Sequence, residues 1–421
     1  MSVDLVPALT RLIGDGVQTA DAVRARYAIG TMTPSVVAIP ADREALRACV
    51  SVIGDAGAAL VPLGHGAHRA LGHEPRRYDV ALVCAELTSV CDYTPADMTV
   101  TVEAGLTVAA LQEVLAREGQ WLPLDPPCPA QTTIGGLVAA DLGGALCGAQ
   151  GRVRDFVIGL GAITADGRSI RAGGKVVKNV AGYDVMKLLT GSLGTLAVVT
   201  EVTLKVRPKP AVVRCLVLET SGADAGIALA EAVAGSAIGA LASTLVVEGR
   251  GEQARLIVLL AGIDADVTAA RASLEALAED ARIILDVDVE ASAARASTAS
   301  VRDFVRTAEG DIVARIVALP DVAARVAQAL GGEATRLQFD ARSGQTAVAF
   351  TTSDPTRLVE WMGETAATYG AHLVLERWPV GMASEVEVWR PLPDSLALMR
   401  RMKAELDPRA TLAPGRFVGR I

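Results

Sequence analysis

The stretch that decides the fold runs Gly173-Gly174-Lys175-Val176-Val177-Lys178-Asn179-Val180-Ala181-Gly182-Tyr183-Asp184 and continues as Leu189-Thr190-Gly191-Ser192-Leu193-Gly194-Thr195-Leu196. Glycines, two lysines, a tyrosine and a carboxylate are crowded here into a segment too irregular for a plain helix or strand. Glycine has no Cβ atom, so the backbone at these positions can approach a flat, charged ligand closely. The stretch therefore predicts a binding segment rather than a scaffold element.

The composition is that of a globular chain long enough for two domains. The chain has 421 residues, of which 51% are hydrophobic and 21% charged, which excludes a disordered protein. A net charge of -8 and only 3% aromatic residues argue against a nucleic-acid-binding surface. The six cysteines form no CxxC pair, which predicts reduced thiols and neither a zinc site nor an iron–sulfur cluster.

No leader peptide and no membrane span are expected. The first residues carry charges and lack a long apolar core. The most apolar stretch, residues 225–247, is interrupted by Glu231 and is better interpreted as a helix followed by a buried strand. These features predict a cytoplasmic protein.

Changes in sequence pattern divide the chain into four parts. Helical spacing predicts a helical segment in residues 1–34. Short apolar runs separated by turn residues fill residues 35–210, which end at a pair of prolines. Residues 211–390 repeat a β-α-β-β-α-β order, which predicts ferredoxin-like units with helices on one face of an antiparallel sheet. A helix and tail follow in residues 391–421, so the predicted fold class is α+β.

Two other glycine-rich segments precede the opening stretch. Residues 64–72 follow a predicted strand but lack the long helix of a Rossmann fingerprint. Their N–H groups can form a nest for a pyrophosphate, although an ordinary surface turn explains this loop alone about as well. In the second segment, Thr133 is expected to cap a helix over residues 135–140, with the helix N-terminus facing an anion. A helix start in a tight interior explains that segment equally well.

In this order the three segments resemble the FAD domain of the vanillyl-alcohol-oxidase class over residues 35–210. Within that class most of the chain resembles the FAD-binding subunit of bacterial glycolate oxidase. The resemblance implies a bipartite FAD-binding domain of the p-cresol methylhydroxylase (PCMH) type, a cap domain in residues 211–390, and a C-terminal tail that returns to the FAD domain. It also implies non-covalent FAD, because Ala67 stands where other members carry the histidine that tethers the flavin.

The same resemblance implies a set of cofactor-binding residues. They are Gly64, His65, Gly66, Ala67, His68 and Gly72 around the pyrophosphate; Pro126, Thr133, Gly135, Gly136, Ala140, Gly143 and Gly144 along the ribityl chain and the ring; Gly151, Val153, Gly194 and Val199 on the other side; and Arg416 in the tail. The family motif has an asparagine where this chain has Ala413.

Lys178 is the candidate for a role in the chemistry. A lysine beside the flavin would stabilise the anionic reduced ring. Asp184 is expected either to take part in the chemistry itself or to orient this lysine through an ion pair. Tyr183 is expected to be a buried ring with a satisfied hydroxyl group.

The histidines do not predict a metal site. His65, His68 and His73 lie within nine residues, but their spacing matches no standard metal site. No histidine occurs between His73 and His372, so the metal motif of related D-2-hydroxy-acid dehydrogenases is absent, as is a histidine base in the cap.

The resemblance thus implies the smaller flavin subunit of a multisubunit glycolate dehydrogenase that oxidises glycolate to glyoxylate. Its own role would be non-catalytic or that of an electron relay. The implied partners are a larger homologous FAD subunit and an iron–sulfur subunit, and any contact with the inner face of the cytoplasmic membrane is expected through them. Two alternatives stay open. One is a self-sufficient FAD-dependent oxidoreductase of a hydroxy acid or alcohol, in which Lys178 or a cap arginine such as Arg377 holds the carboxylate; the other is a flavin-free scaffold.

Overall fold

The computed structural model describes residues 5–175, 183–249, 251, 253–379, 382 and 386–421. The strands in these residues are β1 (Val17–Gln18), β2 (Val36–Ala38), β3 (Leu60–Leu63), β4 (Val80–Val83), β5 (Val90–Thr94), β6 (Thr99–Glu103), β7 (Gln120–Trp121), β8 (Val157–Ile163), β9 (Ser169–Gly173), β10 (Val198–Lys205), β11 (Arg207–Pro208), β12 (Val212–Thr220), β13 (Ala242–Glu248), β14 (Gln253–Gly262), β15 (Arg282–Asp288), β16 (Ile312–Val317), β17 (Arg336–Asp340), β18 (Gln345–Phe350), β19 (His372–Arg377) and β20 (Trp389–Arg390).

The helices in the same residues are α1 (Leu5–Ile13), α2 (Asp21–Arg26), α3 (Arg43–Asp55), α4 (Val108–Ala116), α5 (Ile134–Ala140), α6 (Cys147–Gln150), α7 (Val153–Phe156), α8 (Val185–Leu189), α9 (Ala223–Gly235), α10 (Asp264–Leu277), α11 (Ser292–Arg302), α12 (Phe304–Thr307), α13 (Pro320–Gly331), α14 (Pro355–Thr368) and α15 (Leu396–Leu406). None of these described helices is both long and apolar enough to cross a bilayer.

Two small sheets, together with a two-stranded pairing of β7 with β11, make up the first half of the chain. The first has the order β1-β2-β4-β3, in which β2, β4 and β3 run parallel. The strand β4 is apolar and buried at every position, as expected for a parallel strand covered on both faces. The second sheet is antiparallel, with the order β5-β6-β10-β8-β9. This pair of sheets leaves the end of β3 and the start of β10 on the two sides of one cleft.

The second half forms one nine-stranded antiparallel sheet, with the order β15-β12-β14-β13-β17-β18-β16-β19-β20. It consists of two β-α-β-β-α-β units that join edge to edge where β13 pairs with β17. The predicted ferredoxin-like units are therefore confirmed, and so is the α+β fold class. The division of the chain into four parts stays a prediction.

Helices cover both faces of this sheet, whereas the sequence predicted helices on one face only. The helices α9, α10, α13 and α14 pack on one face and share its core. The helices α11 and α12 pack on the other face, where Ala294 contacts the sheet core and Phe304 packs near Val313. The stretch that forms α11 is rich in alanine, serine and threonine, so its apolar periodicity is too weak to be recognised from the sequence.

The C-terminal tail returns to the first half of the chain. Leu412 forms a parallel bridge with Leu60 in β3. The buried Lys403 of α15 holds this arrangement together: its Nζ donates to the carbonyl of Thr195 at 2.7 Å, to that of Leu412 at 2.8 Å and to Asp407 Oδ2 at 2.5 Å. These contacts bring the residues that follow Leu412 to the glycine loop after β3.

Candidate functional site

A cleft opens where the two small sheets meet. The loop after β3, the first turn of α5, the residues that lead into β10 and one tail residue, Arg416, form its walls. It contains about 790 Å³, counting the part open to solvent.

The loop after β3 presents backbone N–H groups to this cleft. Gly66 has a φ of +75°, which reverses the chain and turns successive amides toward one side. Within the described part of the chain, the N–H groups of residues 65–68 have no hydrogen-bond acceptor. Buried or half-buried amides normally find an acceptor, so this cluster is suited to an anionic ligand such as a pyrophosphate.

The first turn of α5 forms the opposite wall, but the prediction that its N-terminus faces an anion is wrong. The N–H groups of Ile134 and Gly135 donate to the carbonyls of Leu106 and Ala104, each at 2.8 Å. The N–H of Gly136 donates to Thr133 Oγ1 at 3.2 Å, so Thr133 caps the helix as expected. Because these amides are already paired, the helix provides a smooth wall and not an anion site.

Two glycines let the walls approach each other. A Cβ atom at Gly64 would lie 2.3 Å from Thr133 Oγ1, far inside van der Waals contact. A Cβ atom at Gly194, whose φ is +71°, would lie 2.4 Å from Pro62 Cγ. Glycine is therefore required at both places, and the cleft keeps its narrow, flat shape.

Arg416 fastens the glycine loop to the tail. The residue is 3% exposed, and its guanidinium donates to the carbonyls of His73 at 3.1 Å, Arg69 at 2.9 Å and Leu71 at 2.5 Å. Burial lowers the pKa of Arg416 to about 10, and the nearby Tyr78 opposes this shift. No carboxylate of the described residues pairs with it, so an unneutralised positive charge lies beside the loop amides.

His68 takes part in a short hydrogen-bond chain at the edge of the cleft. Thr132 Oγ1 donates to the carbonyl of Pro127 at 2.6 Å, and it lies 2.8 Å from His68 Nε2. Because the single hydroxyl proton is already used, His68 Nε2 must donate to Thr132. Burial, followed by the charges of Arg306 and Arg315, lowers the pKa of His68 to about 4, so this ring is neutral.

The other histidines of the cluster do not converge with His68. His65 is exposed on the rim of the cleft. His73 is fully buried, and its Nε2 lies 2.7 Å from Glu387 Oε1. Among the described residues, no group of three or more histidine, cysteine or acidic side chains could hold a metal ion.

The structure brings most of the predicted site residues together at the cleft. Those that line it are Gly64, His65, Gly66, Ala67, His68, Thr133, Gly135, Gly136, Ala140, Gly194, Val199 and Arg416. Those that lie behind or away from its walls are Gly72, Pro126, Gly143, Gly144, Gly151 and Val153. Some of these act as supports: a Cβ atom at Gly72 would lie 2.7 Å from the carbonyl oxygen of Arg416, and Val153 belongs to the core.

Several lining residues were not predicted. They are Val61, Pro62, Leu63, Arg69, Cys84, Ala104, Gln131, Thr132, Ala139, Leu193, Ala197 and Val198. Most of them are ordinary apolar residues that contribute backbone or a small side chain, so no residue type identifies them. Gln131 and Thr132 are polar and directly precede Thr133, so their position next to a predicted site residue could have identified them as lining residues.

Lys178 lies outside the described residues. Of its neighbours in sequence, Asp184 caps α8 and pairs with Lys187 at 2.8 Å. Tyr183 is 94% exposed, so the prediction of a buried ring is wrong. Arg377, the cap arginine suggested for a substrate carboxylate, instead donates three hydrogen bonds to main-chain carbonyls of residues 305, 308 and 310.

Comparison with known proteins identifies the cofactor. Residues 34–173 match the FAD binding domain family. The glycolate oxidase subunit GlcE of Escherichia coli (strain K12) is 42% identical over 122 residues, which cover 29% of this chain and 35% of GlcE. The glycolate oxidase subunit GlcD of Bacillus subtilis (strain 168) is 31% identical over 192 residues, which cover 46% of this chain and 41% of GlcD. The chain therefore spans less than half the length of these relatives in each match.

The fold has a solved counterpart in substrate-bound p-cresol methylhydroxylase. The TM-score is 0.73 at 15% identity, and the match covers 98% of this chain and 96% of the other. The resemblance to glycolate oxidase subunits and the predicted PCMH-type fold are thus confirmed, and FAD is the cofactor. The cleft fits this group, because unpaired loop amides and a buried cation suit a pyrophosphate and glycine walls suit a flat ring.

Proposed function

We propose that this chain, an FAD-binding protein with the fold of p-cresol methylhydroxylase, is the flavin-binding component of a 2-hydroxy-acid dehydrogenase that oxidises glycolate to glyoxylate. The observation that carries the proposal is the cluster of unpaired amides in residues 65–68 beside the buried charge of Arg416. Such a cluster supports a dinucleotide cofactor, and the similarity to GlcE and GlcD supports the substrate. FAD supplies the redox chemistry, while the protein supplies binding and electrostatics.

In this proposal the chain works inside a larger assembly. GlcE and GlcD are named as subunits, which supports partners for this chain too. The partners we propose are a larger homologous FAD subunit, an iron–sulfur subunit that takes the electrons, and through them the inner face of the cytoplasmic membrane. The flavin of this chain would be bound non-covalently and would relay electrons. The residues proposed to hold it are those that line the cleft, with Lys178 proposed to act on the reduced ring.

A second candidate function is favoured by one feature of the cap. The charged side chains of Arg315 and Glu376 pair on the sheet face opposite the four long helices. Side chains of this kind can recognise a carboxylate, so the chain itself could oxidise the hydroxy acid.

Anaerobic titration of the purified chain separates these roles. A yellow protein that glycolate bleaches supports direct oxidation by this chain. A yellow protein that glycolate does not bleach, but that becomes bleached when the iron–sulfur and larger flavin subunits are added, supports the relay. A colourless protein that takes up no added FAD would contradict the proposal and leave the scaffold alternative.

A further inference from the structure

Lysine is rare in this chain, and its few lysines are unevenly placed. The sequence has six lysines against 34 arginines, and five of the six lie between positions 175 and 209. The sixth, Lys403, is buried in α15. Lysine is a compact, strongly hydrated charge on a flexible stem, which suits contacts that form and break better than fixed internal pairs. Flexible positive charge is therefore concentrated in one part of the FAD-binding half.

Exposed cations meet around α7 and the end of β10. Arg152 directly precedes α7, and Arg154 lies within it. Lys205 Nζ and Arg207 Cζ lie 5.9 and 5.4 Å from the ring centroid of Phe156, the last residue of α7. All four charged side chains belong to exposed residues. They therefore share one surface beside α7.

The short helix α8 brings Lys187 to the same surface. Its Nζ lies 2.8 Å from Asp184 Oδ2. The hydrogen bond from Lys187 lowers the pKa of Asp184, and the charge of Arg154 adds to this effect, so α8 lies within electrostatic reach of α7. Tyr183, next to Asp184, is almost fully exposed. Tyrosine and arginine are enriched in protein–protein interfaces.

We call these five cations the basic patch: Arg152, Arg154, Lys187, Lys205 and Arg207. Three carboxylates contact them or lie beside them, so the group carries an excess of two positive charges; they are Asp141, Asp155 and Asp184. The whole chain, by contrast, has a net charge of -8. Asp141, which pairs with Arg152 at 2.7 Å, directly follows the lining residue Ala140. The basic patch therefore borders the wall of the flavin cleft that α5 forms.

We propose that the basic patch binds an acidic surface of a partner protein. A chain of net negative charge repels such a partner over most of its surface and attracts it here, so charge sets the orientation of the complex. Carboxylates among the cations disfavour an anionic lipid surface, which attracts uninterrupted clusters of lysine and arginine. Tyr183 supplies a large aromatic contact. The inference rests on the proposed function, because it assigns a surface to a partner of that assembly.

The test compares two double charge reversals that change the net charge equally. The patch variant is Arg154→Glu with Lys205→Glu. The control variant is Arg282→Glu with Arg295→Glu, because these two cap side chains are 75% and 66% exposed. Each protein is the full chain with bound FAD, and FAD content and far-UV circular dichroism establish that it folds. The probe is fluorescein-labelled poly-L-glutamate, and its binding is measured by anisotropy over a series of salt concentrations.

Wild-type protein and the control variant should bind polyglutamate at low salt and release it as the salt concentration rises. The patch variant should bind it about tenfold or more weakly than the control variant does. Equal affinities of the two variants overturn the inference. Phosphatidylglycerol vesicles are the second probe. If the patch variant loses vesicle binding but keeps polyglutamate binding, the surface recognises lipid and the inference fails.

Co-expression then tests the partner itself. The tagged chain is produced together with the larger flavin subunit and the iron–sulfur subunit, and the subunits that co-purify are identified. Wild-type protein and the control variant should retain them, and the patch variant should lose them; retention by the patch variant overturns the inference. If wild-type protein carries no subunit although polyglutamate binding depends on the basic patch, the surface stands and the proposed assembly fails.

Discussion

Replacing Arg416 by methionine tests whether the C-terminal tail organises the cofactor loop. The guanidinium donates to three carbonyls, those of Arg69, Leu71 and His73, which directly follow the cleft-facing amides of residues 65–68. Methionine has a similar length but no donor, so Arg416→Met leaves the three carbonyls without their partner and removes the positive charge.

The expected loss of stability follows from two opposing effects. Three hydrogen bonds from a charged donor contribute about 6 kcal/mol at about 2 kcal/mol each. Burial opposes them, since it lowers the pKa of Arg416 from 12.5 to about 10, which corresponds to about 3 kcal/mol. We therefore expect Arg416→Met to lower the free energy of unfolding by about 3 kcal/mol.

Urea denaturation of the FAD-free protein measures this loss without the contribution of the bound cofactor. Fluorescence titration with FAD then measures affinity, which should fall about tenfold or more because the loop is no longer held. Arg416→Lys keeps the charge but cannot reach three carbonyls, so it should restore part of the affinity and little of the stability. Arg409→Met is the control, since Arg409 is largely exposed and donates to the carbonyl of Gly54. If Arg416→Met unfolds at the wild-type urea concentration and binds FAD normally, the tail does not organise the loop.

Two other predictions concern the walls around the cleft. Burial raises the pKa of Asp125 from 3.8 to about 7, so the folded state holds a proton that the unfolded state has lost between about pH 4 and pH 7. The free energy of unfolding therefore falls as the pH rises through this window. Asp125→Asn keeps the acceptor for Leu146 N–H and should remove this fall. If urea denaturation shows the same pH dependence for the variant as for the wild type, the prediction is wrong. Gly64→Ala should lower the affinity for FAD about tenfold or more, because the new Cβ atom would lie 2.3 Å from Thr133 Oγ1. The control is Gly235→Ala, which should bind FAD as the wild type does, because nothing lies within 4 Å of a Cβ atom there.

The sequence predicted the cofactor site best where glycine is sterically required. Gly64 and Gly194 were implied by the family resemblance, and in the structure both positions lack room for a Cβ atom. Such a requirement is a property of one residue type at one position, so it can be recognised without knowing the fold. Strand and helix periodicity is equally local, which is why the β-α-β-β-α-β order predicted within residues 211–390 is found in the structure.

What the sequence could not supply was the set of partners that each polar group finds. Arg377 and Arg315 are both arginines of cap strands, and no local pattern separates them. Packing against α12 gives Arg377 three carbonyl partners and leaves Arg315 beside Glu376. The N-terminus of α5 was misjudged for the same reason, since Ala104 and Leu106 accept its N–H groups only because β6 ends beside it.

The amino-acid sequence by itself thus determined the fold class, because the order of strands and helices follows from local periodicity, whereas the FAD-binding domain and the glycines that shape the cleft followed from its resemblance to a known family. The tertiary structure alone decided that Arg416 bonds the main chain of Arg69, Leu71 and His73, just after the amides of residues 65–68, and that Arg315 pairs with Glu376. Those contacts join residues that lie far apart in the sequence, and they depend on how whole sheets pack.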